Sequence, residues 1–211
     1  MTNHERNWQY VEQFHGEHEA IERARRVALE MGVESVSAAT AAELGLLSQL
    51  SRARQILEIG TGVGVSAIGL LSQNEEADLT TIDIESEHIR AAKENFEAAG
   101  INPARIRTIP GDALQVLPRM NLNSYDVVLI DADPLNMLEY VEHALKITRP
   151  GGLIVVPHAL WQGKVADPVA RDAITTDFRT LLQEIATSEV VSSVLSPVGD
   201  GLLTITKLDL A

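Results

Sequence analysis

The 211-residue chain predicts an α/β fold: a mostly parallel, doubly wound sheet with helices on both faces and an antiparallel pair at one edge. Apolar runs of strand length alternate with helical segments, which is the pattern of a parallel sheet. A glycine-alternating stretch, Gly60, Gly62 and Gly64, follows the first run and opens a helix. Acidic residues stand at or near the ends of successive runs, at Glu58, Asp83 and Asp131. Open α/β sheets bind their ligands at that end of the strands.

The elements follow in order. Residues from about Trp8 to Leu50 are expected to be helical. Ile21, Ala24, Val27, Ala28 and Met31 recur at helical spacing with Gly32 as a stop, and Ala38 to Leu50 makes a second helix. The strand from Ile56 runs into the glycine turn, and a helix from Gly64 reaches about Leu71. Leu79 to Asp83 is the next strand. Ser86 is expected to cap a helix with Ile89, Ala92, Phe96 and Ala99 on one face, stopped by Gly100. Ile106 to Ile109 and Tyr125 to Ile130 are strands, the second ending at Asp131. A helix then runs to about Thr148, Pro150 to Gly152 form a turn, and Leu153 to Val156 is a buried strand. Val165 to Ala186 reads as mostly helix. Val190 to Leu195 and Leu202 to Thr206 read as the closing antiparallel pair, joined by Pro197 to Gly201. The whole chain, 1–211, reads as one domain: a helical segment, 1–50, then a cofactor-binding sheet domain, 51–211.

Composition narrows the function. The formal net charge is -13, which argues against nucleic acid and anionic membranes as partners, since phosphate contacts need a basic surface. No apolar run approaches membrane-spanning length, and the polar start Met1 to Arg6 lacks a signal-peptide core. The absence of cysteine removes disulfides and thiolate metal sites and fits a cytoplasmic location.

The glycine turn and the distal acid point to a cofactor containing a nucleoside. Asp83 ends the second strand, where a carboxylate accepts hydrogen bonds from a ribose diol. Missing side chains at Gly60, Gly62 and Gly64 let a ligand approach backbone N–H groups. A nicotinamide dinucleotide would call for G-x-G-x-x-G, but position 65 is Val65, and Glu58 would repel a pyrophosphate. S-adenosylmethionine carries a sulfonium and an ammonium and no phosphate, so it fits better. A tight strand–helix turn is the plainer explanation of the glycines alone.

Several short segments carry a family likeness: Leu57 to Gly62, Thr81 to Asp83, Gly111 to Ala113, Asp126 to Asp133, Pro150 to Gly152 and Gly199 to Gly201. In this order and spacing the chain, from about Ser35 to Lys207, resembles the S-adenosylmethionine-dependent O-methyltransferases of the catechol and caffeoyl-CoA type, including bacterial relatives. The resemblance implies a Rossmann-like seven-stranded methyltransferase sheet, mostly parallel with an antiparallel C-terminal hairpin, and an acceptor hydroxyl on a small molecule. It implies that Glu58, the turn Gly60, Thr61, Gly62 and Gly64, and Ser66 hold the methionine end. Asp83, with Ile84 beside it, would take the ribose, and Gly111, Asp112 and Ala113 would border the adenine. It also makes a homodimer an expectation. Ser66 and Asp112 have plainer explanations as helix caps.

The chain departs from the family at the catalytic rim. In metal-dependent relatives the aspartate matching Asp131 binds a divalent cation with an Asp-Asn pair. Here that pair is Pro157 and His158, and Pro134 stands where relatives tend to carry a lysine base. Magnesium prefers oxygen ligands in near-octahedral array, so no family-type magnesium site is expected, and no metal ligand is assigned. His158 becomes the candidate base, with Asp131 near cofactor or substrate. A structural histidine satisfied by backbone is the alternative. Asp133 before Pro134 reads as a helix cap. The other histidines (His4, His15, His18, His88 and His143) read as solvated positions on helices or the tail. Trp161 reads as packing or a pocket wall. Trp8, Tyr10 and Phe14 fit either a pocket or a dimer contact. Two other functions stay open: a metal-dependent enzyme using Asp131 and His158 with a softer cation, and a cofactor-binding protein that has lost catalysis.

Overall fold

Apolar runs of strand length place the central strands, which are buried along most of their length. In the computed structural model, which describes residues 2–14 and 16–209, seven strands form one sheet. They are β1 (Gln55–Ile59), β2 (Asp78–Asp83), β3 (Ile106–Pro110), β4 (Tyr125–Ile130), β5 (Thr148–Val156), β6 (Val191–Ser196) and β7 (Leu202–Lys207). Their order is β3-β2-β1-β4-β5-β7-β6. The first five run parallel; β7 is antiparallel to β5, and β6 to β7. The expected antiparallel edge is therefore present, with the last strand inserted between its partner and β5.

Among the described residues there are eight α-helices: α1 (Asn3–Phe14), α2 (Glu19–Met31), α3 (Ala38–Leu50), α4 (Val65–Ser72), α5 (Ser86–Ala98), α6 (Ala113–Val116), α7 (Met137–Ile147) and α8 (Ala173–Thr187). One face of the sheet presents Ile56, Leu79, Val127, Leu129 and Val155 to α2 to α5. The other presents Leu57, Ile82, Val128, Ile130 and Ile154 to α6 to α8. Central strands buried on both faces explain why their sequences read as continuous apolar runs.

Several boundaries differ from the sequence reading for local reasons. The N-terminal helical stretch is three helices. His18 caps α2 through its side chain, and Ser37 caps α3. α5 begins at Ser86 itself, with Glu85 as its N-cap residue and no side-chain cap bond. Pro150 to Gly152 lie inside β5, whose pairing with β4 shifts register there. The segment 157–170 is a run of turns, so the expected Val165 to Ala186 helix forms from Ala173 onward, over most of that span. Pro168 denies that segment a helical hydrogen bond. Arg179 on α8 instead donates to the carbonyls of Lys164, Val165, Asp167 and Ala170. His15 lies outside the described residues, and of His4 only the backbone is described.

The chain turns back at the middle of the sheet. β2 and β3 build outward on one side of β1, and β4 starts the other side. Ligand crevices in doubly wound folds open at such a switch point.

Candidate functional site

At that switch point lies a cavity of about 420 Å³. Its floor is the β1–α4 turn. Gly60 has φ +94°, and a Cβ there would stand 1.8 Å from the carbonyl oxygen of Asp131. Only glycine lets the ends of β1 and β4 meet so closely. Gly64, φ +91°, is needed for a different contact, since its Cβ would strike the Phe96 ring at 2.6 Å. The glycine amides are spent within the protein, contrary to the sequence expectation. Gly60 N–H donates to Ile82 O, Gly64 N–H to Thr61 O, and Gly62 N–H to Asp83 Oδ2 at 2.8 Å.

Asp83 closes β2 and is held firmly. Its Oδ2 accepts from Gly62 and its Oδ1 from Glu85 N–H, both at 2.8 Å. Gly111 N–H donates to the Asp83 carbonyl at 2.9 Å, which draws the end of β3 alongside. Asp112 then caps α6 through Leu114 N–H at 2.9 Å. Gly111, Asp112 and Ala113 all line the cavity, so Asp112 both caps and faces the site. Ile84 forms an exposed part of the rim.

Glu58 lies beneath the floor, with no exposed surface, and is absent from the lining. Its two oxygens accept from the hydroxyls of Ser66 and Thr81, each at 2.6 Å. Thr61 and Thr81 hydroxyls pair at 2.7 Å. Burial pushes the Glu58 carboxyl up to about 8, against the two hydroxyl donors that favour its charge. Ser66 and Thr61 do line the cavity, so each connects the site to Glu58 through one hydrogen-bonded step or two. Ser66 is thus a donor to Glu58 and not a helix cap; the N-cap position of α4 is Gly64, which does not line the cavity.

Asp131 lines the site, and His158 Nε2 lies 3.9 Å from its Oδ1. Burial pushes the Asp131 carboxyl up; His158 opposes this and Glu34 adds to it. His158 follows β5 in left-handed backbone, φ 57°, a conformation that costs a non-glycine residue about 1 kcal/mol. The β6–β7 loop holds it there. Ala159 and Leu160 N–H groups donate to Gly201 and Asp200 carbonyls at 3.0 and 2.9 Å, and Gln162 N–H donates to the Asp200 side chain. Asp133 caps the turn beginning at Pro134, as its sequence suggested, and also lines the cavity. Trp161 stacks on Phe178, ring centroids 5.7 Å apart, and packs against the core.

Sequence reasoning missed Glu34, Glu85, His88, Asn136 and Tyr140, which also line the cavity. Glu34 comes from the α2–α3 loop, which Arg25 pins by donating to Ser35 Oγ and Val36 O. No signal in the sequence ties that loop to the site. Trp8 instead borders a second, smaller cavity with Pro197 and Val198, while Tyr10 and Phe14 are exposed.

A metal centre of the family type does not fit these residues. Among the described residues no three His, Asp or Glu side chains gather to hold an ion. Pro157 offers no side-chain ligand atom, which leaves Asp131 and His158 as the side-chain donors at the positions that match the family's ligands.

A family model described as O-methyltransferase matches residues 11–208. The chain belongs to the O-methyltransferase family. A Mycobacterium marinum relative, provisionally named an O-methyltransferase, is 45% identical over 184 residues, 87% of this chain and 82% of its own. Among solved structures, the O-methyltransferase TomG of Streptomyces achromogenes, involved in tomaymycin synthesis and determined with S-adenosylmethionine, superposes with TM-score 0.85 at 30% identity, covering 99% of this chain and 100% of its own. The Bacillus cereus O-methyltransferase, determined with S-adenosylhomocysteine, gives TM-score 0.82 at 29% identity over 95% and 96% of the two chains. The family's seven-stranded sheet is the one described above.

Proposed function

We propose that the chain transfers a methyl group from S-adenosylmethionine to a hydroxyl of a small molecule. The observation that carries this reading is the charge of the cavity. Six carboxylates line it (Glu34, Asp83, Glu85, Asp112, Asp131 and Asp133), and no lysine or arginine does among the described residues. Such a lining suits a sulfonium and an ammonium and repels a pyrophosphate. Relatives determined with S-adenosylmethionine and S-adenosylhomocysteine support it.

In this reading the bound donor supplies an electrophilic methyl carbon on a positively charged sulfur. Asp83 takes the ribose through lone pairs left free by its two backbone donors. Ser66, Thr61 and the Gly60–Gly62 turn bound the methionine end. Glu58 acts through Ser66 and Thr81 as a positioning residue. Gly111 to Ala113 border the base. His158 accepts the proton of the acceptor hydroxyl as oxygen bonds to the methyl carbon and the electron pair of the broken C–S bond returns to sulfur. Asp131, 3.9 Å away, stabilises the cationic form of the imidazole through its charge. The proton then leaves to solvent.

A cytoplasmic location is consistent with the cysteine-free sequence and with no described helix being long and apolar enough to cross a membrane. Homodimerisation is proposed from the family likeness, and light scattering of the purified protein tests it.

Calorimetric titration with S-adenosylhomocysteine tests the cofactor assignment, and absence of binding overturns it. An acceptor screen with and without chelator, run on the wild type and His158→Gln, tests the chemistry. The expected result is turnover that survives chelation and falls about 100-fold or more in the variant, with cofactor affinity unchanged. Turnover abolished by chelator would favour a metal held by Asp131 and His158.

A further inference from the structure

The Gly199-Asp200-Gly201 segment takes no part in lining the cofactor cavity. It lies in the β6–β7 loop and meets the turn that carries His158. That turn does not hold its own shape. His158, Trp161, Gln162 and Gly163 all have left-handed backbone, with φ of 57°, 48°, 56° and 76°. Residues other than glycine keep that conformation only where the surrounding structure imposes it, and here the loop does so. The Gly201 and Asp200 carbonyls accept from Ala159 and Leu160 N–H, and the Asp200 carboxylate accepts from Gln162 N–H. Gly201 lies so close to the turn that a Cβ there would stand 2.5 Å from Leu160 Cγ. The loop is in turn anchored from the other end of the sequence. Gly199 N–H donates to Glu12 Oε1 of α1 at 3.0 Å. Glu12 and Trp8 are half-buried on an otherwise exposed helix, one turn apart and so on the same side. Apolar packing between α1 and the loop is incomplete, since a cavity of about 190 Å³ lies between Asn7, Trp8 and Val11 on one side and Pro197 and Val198 on the other. A loose apolar contact leaves the height of the loop unset, whereas a hydrogen bond to a carboxylate is directional and fixes it.

We infer that Glu12 is a positioning residue for His158. Through Gly199 it fixes the β6–β7 loop, and the loop fixes the turn that sets the imidazole 3.9 Å from Asp131. This rests on the reading of His158 as the base and adds to it a residue that touches neither cofactor nor acceptor. Small displacements of a reacting group are costly in rate, so loss of the Glu12 bond acts on the chemical step and leaves the cofactor cavity as it was.

The test is hydrogen-exchange mass spectrometry and steady-state kinetics of the full chain, on wild type, Glu12→Ala and Glu12→Gln. In Glu12→Ala the amides of Ala159, Leu160 and Gln162 are expected to exchange roughly tenfold faster. Its kcat is expected to fall roughly tenfold, with S-adenosylhomocysteine affinity unchanged by calorimetry. Glu12→Gln keeps an oxygen acceptor and is expected to recover most of both losses. In a His158→Gln background, Glu12→Ala is expected to lower kcat by less than about a further twofold, because the group it positions is gone. Faster exchange confined to α1 would mean that Glu12 pins only its own helix and would overturn the inference, as would full additivity with His158→Gln. If His158→Gln alone turns over like wild type, the reading of the base falls. That outcome is separate from an impaired His158→Gln beside an indifferent Glu12→Ala, which overturns the inference alone.

Discussion

Glu58 and Asp83 are both carboxylates at the end of neighbouring strands, yet burial gives them opposite jobs. Asp83 opens on the cavity with backbone donors fixing its oxygens, so Asp83→Ala is expected to weaken S-adenosylhomocysteine binding about 100-fold by calorimetry. Glu58 is sealed in, with its carboxyl raised from 4.5 to about 8. Below pH 4.5 it is protonated in both folded and unfolded chains and adds no pH dependence. Between that pH and about 8 the unfolded chain ionises while the folded one resists, so folding stability falls as pH rises, by about 1.4 kcal/mol per unit at most. Glu58→Gln removes that penalty. Urea denaturation is expected to show the variant gaining on wild type from pH 5 to pH 8.5, with little difference at pH 5. A constant difference across that range would mean that Glu58 is ionised in the folded chain.

Among the elements, the 157–170 turns are the ones that local pattern cannot build. They contain His158, and they are held from outside: by the β6–β7 loop at one end and by Arg179 at the other. Arg179 donates to four carbonyls of the segment, of which those of Lys164 and Asp167 also accept a turn N–H. Arg179→Ala is expected to cost about 2–4 kcal/mol in urea denaturation, with protease cleavage appearing within 164–170. Arg179→Lys recovers little, because one ammonium cannot reproduce the fork of a guanidinium. Unchanged stability would show that water serves those carbonyls equally well. Pro168 was the visible sign that a helix through Val165 would fail. The position of Arg179, 11 residues later in sequence, gave no hint that it would organise what replaces it.

At the scale of the molecule, the cavity is assembled from the carboxyl ends of β1, β2, β3 and β4 and from the α2–α3 loop. A ligand that bridges these parts stabilises the whole domain. At 100 times its dissociation constant, S-adenosylhomocysteine is expected to add about 2.7 kcal/mol, which for a domain of this size raises the melting temperature by roughly 5–10 °C. Thermal unfolding with and without ligand checks this, and an unshifted transition at saturating concentration would speak against the site. The shift should shrink in Asp83→Ala and persist in His158→Gln, since only the first changes a group proposed to touch the cofactor.

The parallel sheet, the glycine turn, and the placement of Asp83, Asp112 and Asp131 on one rim were legible in the sequence. Each depends on local pattern: apolar runs of strand length, glycine at positive φ, an acid at a strand end. What only the tertiary structure decided lies between elements. The close approach of β1 and β4 uses up the glycine amides and makes Gly60 a packing necessity. The hydroxyls of Ser66 and Thr81 seal Glu58 away from the cavity. The pinned α2–α3 loop carries Glu34 to the site, and the first turn of α5 brings His88 beside Asp83. Periodicity reports which face of an element is apolar. It carries no information about which distant side chain meets a given polar group, because that depends on how the elements stack.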